Sequence, residues 1–507
     1  MYSLTFLSAE QLVQDEEATC KMLESMPQSM FGILFKLAFR KNKTQLLCEL
    51  VKMWPYPELK FLFQLQMCRH CSWSYKKCPE CIGILTPDEL RKNKIDAILS
   101  GVISYIRNVI MDGSQQLPYR RLKQLDMTGL HDTGITCNLK LIRLWVRSIR
   151  QAQIYSSGLQ SQSSPQVAAA SSVTFPAEAS VTLRVDLILC PPSADMLKEL
   201  LQENTNSPLH LKCRDFYMTF MSFRDMLRFL PILDPLELRR VDISHCFMTF
   251  EYIVCLMSHF TTFQNFQSFR LALNINKVLY LEPLLNTHAE LLAAELRKFR
   301  WLKEIGLPRV CLSDQVKNLL GSLQYPLESL HLSSCSLTKK DLTYLARSHH
   351  STHLIKLDLT DNDIIVQQLD IFLELLKSAS KSLKWLNVAM CRIKDNDFYA
   401  TLPYLYSCSR LSHLGLSDNP LSSKSIFIFL ESSHHKLPNL KLMSLPVFLD
   451  CCQNLPQSLP RLLGSYMNVE MTSKVITKMK QILISRGDFT LEFATRFNFD
   501  LSDYFDL

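Results

Sequence analysis

The sequence predicts an α/β solenoid: stacked strand-plus-helix repeats, preceded by a helical region and followed by a cap. Three observations predict it. Four central segments share the pattern Leu-x-x-Leu-x-Leu/Val-x-x-Cys/Asn-x-Leu/Ile. They are Leu327-Leu330-Leu332-Cys335-Leu337, Leu354-Leu357-Leu359-Asn362-Ile364, Leu383-Leu386-Val388-Cys391-Ile393 and Leu411-Leu414-Leu416-Asn419-Leu421. Their starts, at 327, 354, 383 and 411, lie 27, 29 and 28 residues apart, room for one strand and one helix. Between them the apolar spacing turns helical, as at Leu369, Phe372, Leu373 and Leu376, and at Leu342 and Leu345.

This is the leucine-rich repeat signature. In Leu-x-Leu the apolar residues alternate, so one side of the strand enters the core and the intervening residues face outward. A buried Asn three residues later can bond backbone groups of neighbouring repeats, and a Cys fits the same narrow space with a weak S–H donor. Thr338 followed by Asp341 resembles a capping box at a helix start. Weaker copies are Leu238-Val241-Ile243-Cys246-Met248 and Phe266-Phe269-Leu271-Asn274. Residues 299–307 (Phe299, Leu302, Ile305, Leu307) fit poorly. Leu437-Leu440-Leu442 keeps only the strand, and Leu122-Leu125-Met127 repeats the opening far upstream. Such arrays build a long concave sheet with no reactive pocket, so they commonly bind other proteins.

In chain order, 1–115 reads as a helical docking region. Leu12, Met22, Phe31, Leu34, Phe35, Ala38 and Phe39 recur at helical spacing, Trp54-Pro55-Tyr56-Pro57 makes a turn, and Ile95, Ile98, Leu99, Val102, Ile103 and Ile106 line a second helix. Residues 116–155 hold the first repeat-like element. Residues 156–180, rich in Ser, Gln and Ala, read as a flexible insertion. Val181 to Leu187 reads as a strand that opens the repeats, 181–450, and 451–507 form the C-terminal cap.

Composition narrows the function. The 507 residues can bury a large core. Gly is scarce, at 12, which argues against phosphate loops and glycine-hinged enzymes. The net charge of +8 is mild for the length, so Arg40-Lys41-Asn42-Lys43 and Arg120-Arg121 read as solvated surface and no nucleic-acid partner is expected. No basic stretch precedes a long apolar run at the start, and no run of about 18 apolar residues occurs, so neither a signal peptide nor a membrane span is expected. The 17 Cys are mostly isolated, as in a reduced cytoplasmic or nuclear protein.

Chemical motifs are few. Cys68, Cys71, Cys78 and Cys81 form two Cys-x2-Cys pairs that could hold zinc, but the six-residue spacer is short for paired knuckles, and no metal or cofactor is expected. His70 lies between them and reads as a surface residue. No Walker loop, nucleophile elbow, zincin motif or dinucleotide fingerprint occurs, so the chain is expected not to be an enzyme. His349-His350 and His434-His435 fall between repeats and read as solvated loop residues.

The N-terminus carries a binding pattern. Leu4, Ser8 and Leu12 fall at i, i+4 and i+8, on one helix face, and Met26-Pro27 with Met30 follows. The first resembles the BC box, a helix that inserts a Leu and a small residue into a pocket of Elongin C. The second resembles the core of a cullin-2 box. A helix-in-groove contact needs a small residue at closest approach. The competing reading is that the helix packs on its own domain.

The whole chain resembles the PRAME family of leucine-rich repeat proteins. The resemblance rests on Met26-Pro27 to Phe31, Leu34-Phe35, Ala38-Phe39, Val51 with Trp54-Pro55, and Leu122-x2-Leu125-Asp126-Met127-Thr128-Gly129. Tyr325-Pro326-Leu327-Glu328-Ser329-Leu330 and Leu402-Pro403 to Cys408 add to it. The opening Leu4-x-Phe6-Leu7-Ser8 and the closing Asp503-Tyr504-Phe505 point to one branch. The resemblance implies a horseshoe of repeats and a substrate receptor of cullin-2 ubiquitin ligases, docked to Elongin B/C and cullin-2 through Leu4, Ser8, Leu12, Pro27 and Met30. The branch further implies repression of NF-κB signalling through IκB kinase. Ser8 departs from the commoner Cys or Ala of a BC box. Target recognition is expected on the concave face at His331, Lys356, Asp358, Lys384, Asn387, His413 and Gly415. Three functions compete: a ligase adaptor, a ligase-independent inhibitor of a signalling complex, and a zinc-dependent nucleic-acid binder, the last disfavoured by modest charge and missing aromatic–basic interleaving.

Overall fold

A computed structural model of the chain describes residues 4–66, 93–111, 121–130, 139–157, 176–203, 207–230, 233–246, 250–273, 286–456, 464–486 and 491–494. The chain divides into two compact units, Met1–Met221 with Asp225–Leu238, and Ser222–Arg224 with Arg239–Leu507. The division falls inside the stretch read as one repeat array.

The first unit opens with helices α1 (Leu4–Leu12), α2 (Glu16–Met22), α3 (Gln28–Arg40) and α4 (Thr44–Lys52). The Asp15 carboxylate accepts from the Ala18 N–H at 3.0 Å and caps α2. One face of α3 buries Phe31, Leu34, Phe35, Ala38 and Phe39. Phe35 meets Trp54 edge-to-face at 5.8 Å, and Phe39 meets Phe61 at 5.4 Å. The Trp54 indole donates to Glu58 O at 3.1 Å. Met22 is exposed and its neighbour Leu23 is buried instead.

This region is not all helix. Strand β1 (Glu58–Lys60) starts a parallel sheet that continues through β2 (Gln124–Asp126), β3 (Val181–Leu189) and β4 (Leu209–Thr219). Leu59, Leu125 and Leu183 align across it, so Leu122-Leu125-Met127 is its second strand. A three-residue strand carries too little alternation to stand out against the aromatic helices around it. The helix Asn93–Met111 buries Ile95, Ile98, Leu99, Val102, Ile103 and Ile106, as its spacing predicts. The ends of the 156–180 stretch are structured: Leu139–Ser157 is helical, and Ala177–Ala179 is a short turn whose Glu178 carbonyl accepts from the Tyr105 hydroxyl at 3.2 Å.

The second unit holds the repeats. Its parallel sheet runs β5 (Arg240–Cys246), β6 (Ser268–Leu273), β7 (Glu304–Gly306), β8 (Ser329–His331), β9 (Lys356–Asp358), β10 (Trp385–Asn387) and β11 (His413–Gly415). A side pair, β12 (Pro420–Leu421) with β14 (Val447–Phe448), accompanies the next strand, β13 (Leu442–Ser444), and β15 (Glu492–Ala494) ends the sheet. Leu330, Leu357, Leu386 and Leu414 are register partners and fully buried. The fold is therefore the α/β repeat architecture that the pattern predicts.

Two weak repeats change reading. Ile305 pairs with Phe269 and Leu330, so Leu302-Ile305-Leu307 is a full repeat, with buried Val310 and Leu312 completing it. Val310 stands in the Cys/Asn place. Leu414 pairs with Met443, so the repeat near 440 is Leu440-Met443-Leu445, three residues later than Leu437-Leu440-Leu442. The leucines flanking Met443 offer both registers, and strand pairing decides between them.

The turn after each strand works as its chemistry suggests. Asn362 donates through Nδ2 to the Leu332 and Leu359 carbonyls at 2.8 and 3.0 Å, and its Oδ1 accepts from the Cys335 and Leu337 N–H groups. Asn419 bonds Val388, Leu416 and Ile393 likewise. The Cys335 thiol donates to Leu307 O at 3.1 Å and the Cys391 thiol to Leu359 O at 3.2 Å. Beside them Ser334, Asp361, Met390 and Asp418 sit at φ 55, 53, 56 and 54, a left-handed conformation costing roughly 1–2 kcal/mol per non-glycine residue. The Asn and Cys bonds offset that cost. Thr338 and Asp341 form the expected capping box.

Candidate protein-interaction surfaces

The first surface is α1. Ala9 and Val13 are fully buried and fix the helix on its own unit. Lys41 pairs with Glu10 at 3.2 Å, and the Glu16 carboxylate accepts from Leu46 N at 2.8 Å. The opposite side stays open: Leu4 is 82% exposed and Leu7 48%. Ser8 and Pro27 are exposed, and Leu12 and Met30 half-buried. Leu4 and Leu7 form one uncovered apolar step about one helical turn long, with the exposed Ser8 beside it. Pro27 immediately precedes α3, the place a helix accepts it without losing a bond.

The second surface is the polar face of the second unit's sheet, formed on each strand by the residues flanking its central apolar one. One row aligns Arg240, Ser268, Glu304, Ser329, Lys356, Trp385 and His413. The other aligns Asp242, Arg270, Gly306, His331, Asp358, Asn387 and Gly415. Arg240 Nη2 lies 2.9 Å from Glu304 Oε2, and both side chains are 1% exposed. Arg240 Nε donates to Ser268 Oγ at 3.1 Å. His331 Nε2 lies 3.2 Å from Glu304 Oε1 and 3.0 Å from Ser329 Oγ. Burial would raise the Glu304 carboxyl, but the Arg240 guanidinium and His331 override it and hold it at about 2.

Next in line, Asp358 accepts from Thr360 N at 2.9 Å and Thr360 Oγ1 at 2.6 Å through Oδ1. Its Oδ2 has no hydrogen-bond partner among the described residues. Burial raises its pKa, against the opposing pull of His331 and the Thr360 bonds. Arg270 crosses over Gly306: a Cβ there would come within 2.7 Å of Arg270 Cγ, so only glycine leaves this path open. Arg270 Nη1 reaches Asp242 at 3.7 Å. Burial pushes His413 down to about 4, and Lys356 and Lys441 add to the effect. The face thus carries a row of buried charges, joined at Arg240, Glu304 and His331 and with an unbonded oxygen on Asp358, and Trp385 lies beside His331, ring centroids 6.3 Å apart.

Of the residues singled out from the sequence, His331, Lys356, Asp358, Asn387, His413 and Gly415 all fall on this face. Lys384 does not: it is exposed and directly precedes β10, and Trp385 takes the strand position. Counting two residues before Leu386 instead of one causes that slip. Sequence reasoning missed Arg240, Arg270, Glu304 and Trp385. The signal was present, since each flanks a central apolar residue, and full weight on Leu302-Ile305-Leu307 would have found Glu304. His350 is not a solvated loop residue. It is fully buried, its Nδ1 accepts from Leu327 N at 3.1 Å, and burial pushes it down to about 4. His434 and His435 close the helix Ser423–Lys436. Cys68, Cys71, Cys78, Cys81 and His70 lie outside the described residues.

Comparison with known proteins agrees with this architecture. The model of the PRAME N-terminal domain matches residues 3–70, and that of the PRAME C-terminal domain matches 185–482. The chain belongs to the PRAME family. Within that family it is similar to leucine-rich repeat-containing protein 14. It is 33% identical to the Xenopus laevis protein over 496 residues, covering 96% of this chain and 95% of that one. It is 32% identical to the human protein over 512 residues, covering all of both. Mouse Oogenesin-2 is 22% identical over 467 residues, 89% of this chain and 86% of its own length. PRAME membership and the repeat fold point to a protein-interaction role. No helix among the described residues is long and apolar enough to cross a membrane.

Proposed function

We propose that this chain is a non-catalytic adaptor, the substrate-recognition subunit of a cullin-2/Elongin ubiquitin ligase. In this reading α1 enters the Elongin C pocket through Leu4 with Ser8 at closest approach. The segment from Pro27 to Met30 meets cullin-2, and the polar face of the repeats holds the target. The observation that supports it most is Leu4, 82% exposed on a helix that Ala9 and Val13 anchor from the other side. A large apolar side chain held outward on a fixed helix suits helix-in-groove binding. On the polar face of the repeats the half-buried Arg270, Lys356 and His413 are side chains a target could reach.

The test is affinity capture of the full chain, with and without residues 1–60, followed by mass spectrometry. Elongin C and cullin-2 are expected with the full chain and lost with the truncation. Elongin C retained by the truncated chain, or absent from both, would sink the adaptor reading. The ligase-independent reading, inhibition of NF-κB signalling by binding IκB kinase, would then take its place.

A further inference from the structure

All strands of the second unit run parallel. Among the described residues, the helix-to-strand connections therefore reach the sheet at one edge, and the strand-to-helix connections leave at the other. The two edges differ in charge. The entering segments 261–267, 297–303, 321–328, 348–355, 380–384, 408–412 and 437–441 carry eight Lys and Arg and one acid, Glu328. The leaving segments 307–315, 332–338, 359–363, 388–394, 416–422 and 445–450 carry five Asp and three Lys or Arg. Helix dipoles account for part of this, since acids suit helix N-termini and bases suit C-termini.

Three lysines escape that explanation. Lys303, Lys384 and Lys441 lie outside helices, each directly before a strand. Glu328 neutralises Lys303 at 2.9 Å. Lys384 and Lys441 are exposed and form no ion pair among the described residues. On the same edge Trp301 and Tyr325, 60% and 51% exposed, stack at 6.0 Å and 18°. Two large aromatic rings held together in solvent are a feature of interaction hot spots.

We propose that this entering edge docks an acidic segment of a partner protein. An apolar residue of the segment lies on the Trp301–Tyr325 pair, and its carboxylates meet Lys384 and Lys441. From β8 to β13 are four strand spacings, about 19 Å, which an extended segment of about six residues spans. The mixed charge of the opposite edge and the modest net charge of +8 favour a short acidic segment over a long polyanion such as nucleic acid. The inference rests on the repeats being a partner-binding sheet and needs no ligase.

Fluorescence anisotropy on the purified full chain tests it. The probes are a labelled peptide of Glu, Asp and Leu, its Gln/Asn counterpart, an oligouridylate, and phosphatidylserine vesicles. The acidic peptide should bind, and its Gln/Asn counterpart should not. Lys384→Glu with Lys441→Glu should weaken binding at least about tenfold, because like charges face each other. Trp301→Ala with Tyr325→Ala should weaken it too. Lys339→Glu with Lys340→Glu makes the same charge change at the start of the helix Lys339–Arg347, on the leaving edge, and should leave binding unchanged. Thermal melting checks each fold, and if the Lys384/Lys441 variant fails to fold, the aromatic variant decides. No binding of the acidic peptide, an equal effect of the Lys339/Lys340 control, or tighter binding of oligouridylate or vesicles would overturn the proposal. Elongin C capture is untouched by these variants, so the two readings fail separately.

Discussion

Arg240 reaches across an intervening strand to Glu304: its Nη2 lies 2.9 Å from the carboxylate, with Ser268 of the strand between bonded to its Nε. Removing one partner leaves the other charge buried. Glu304→Gln should therefore destabilise the second unit by about 3–5 kcal/mol. Arg240→Met with Glu304→Met should recover most of that loss, because burying two apolar chains avoids both desolvation costs. A double-mutant cycle by denaturant unfolding checks it, and additive losses would show that the pair does not act as one unit. The folded Glu304 pKa is lowered, so its contribution is present above the ordinary carboxyl range of about 4.5 and disappears as pH falls through about 2.

Asp186 titrates the other way. It is buried in the first unit opposite Asp215, accepts from Gly129 N at 2.6 Å, and lies 3.1 Å from Arg214. Burial, then the neighbouring Asp215 charge, push it up to about 7, against Arg214 and Gly129. A raised folded pKa means stability present below the unfolded value, 3.8, and lost as pH rises through about 7. Asp186→Asn should flatten the fall in melting temperature between about pH 4 and 7. A wild-type melting curve flat over that range would contradict the assignment.

Leu357 tests the repeat register. It is fully buried between Leu330 and Leu386. Leu357→Asp should cost several kcal/mol by burying an unpaired charge, a large share of a domain's stability. Asn362→Ala should cost about 1–3 kcal/mol for each turn group it strands. Circular dichroism melting distinguishes these from a surface change, which would leave the curve in place.

Leu4→Ala separates docking from packing. An anchoring Leu buried in a partner is worth roughly 1.5–3 kcal/mol, about ten- to a hundredfold in affinity. Elongin C capture should fall by that factor while the melting temperature holds, since the side chain touches solvent in the free chain. A lowered melting temperature with capture intact would return α1 to a purely internal role.

The repeats were legible because they are strong local periodicities: Leu327, Leu354, Leu383 and Leu411 each open a unit whose apolar spacing admits one register. The turn chemistry of Asn362 and Cys335 was legible too, since few residue types fit a narrow place needing several backbone partners. The α1 face could be read as a spacing, and Leu4, Ser8 and Leu12 do share it. Whether it was covered could not be read, because burial depends on what packs against it.

What the sequence determined by itself was the strand-plus-helix repeat, its period and its family, all carried by side-chain patterns within about thirty residues. Tertiary structure decided the rest. Strand pairing chose Met443 over Leu440, made a strand of Glu58–Lys60 and put Trp385 rather than Lys384 on the polar face. Burial turned His350 into a core bond and joined Arg240 to Glu304 across 64 residues. These contacts arise between segments remote in sequence, where local spacing carries no information about which partner fills the space.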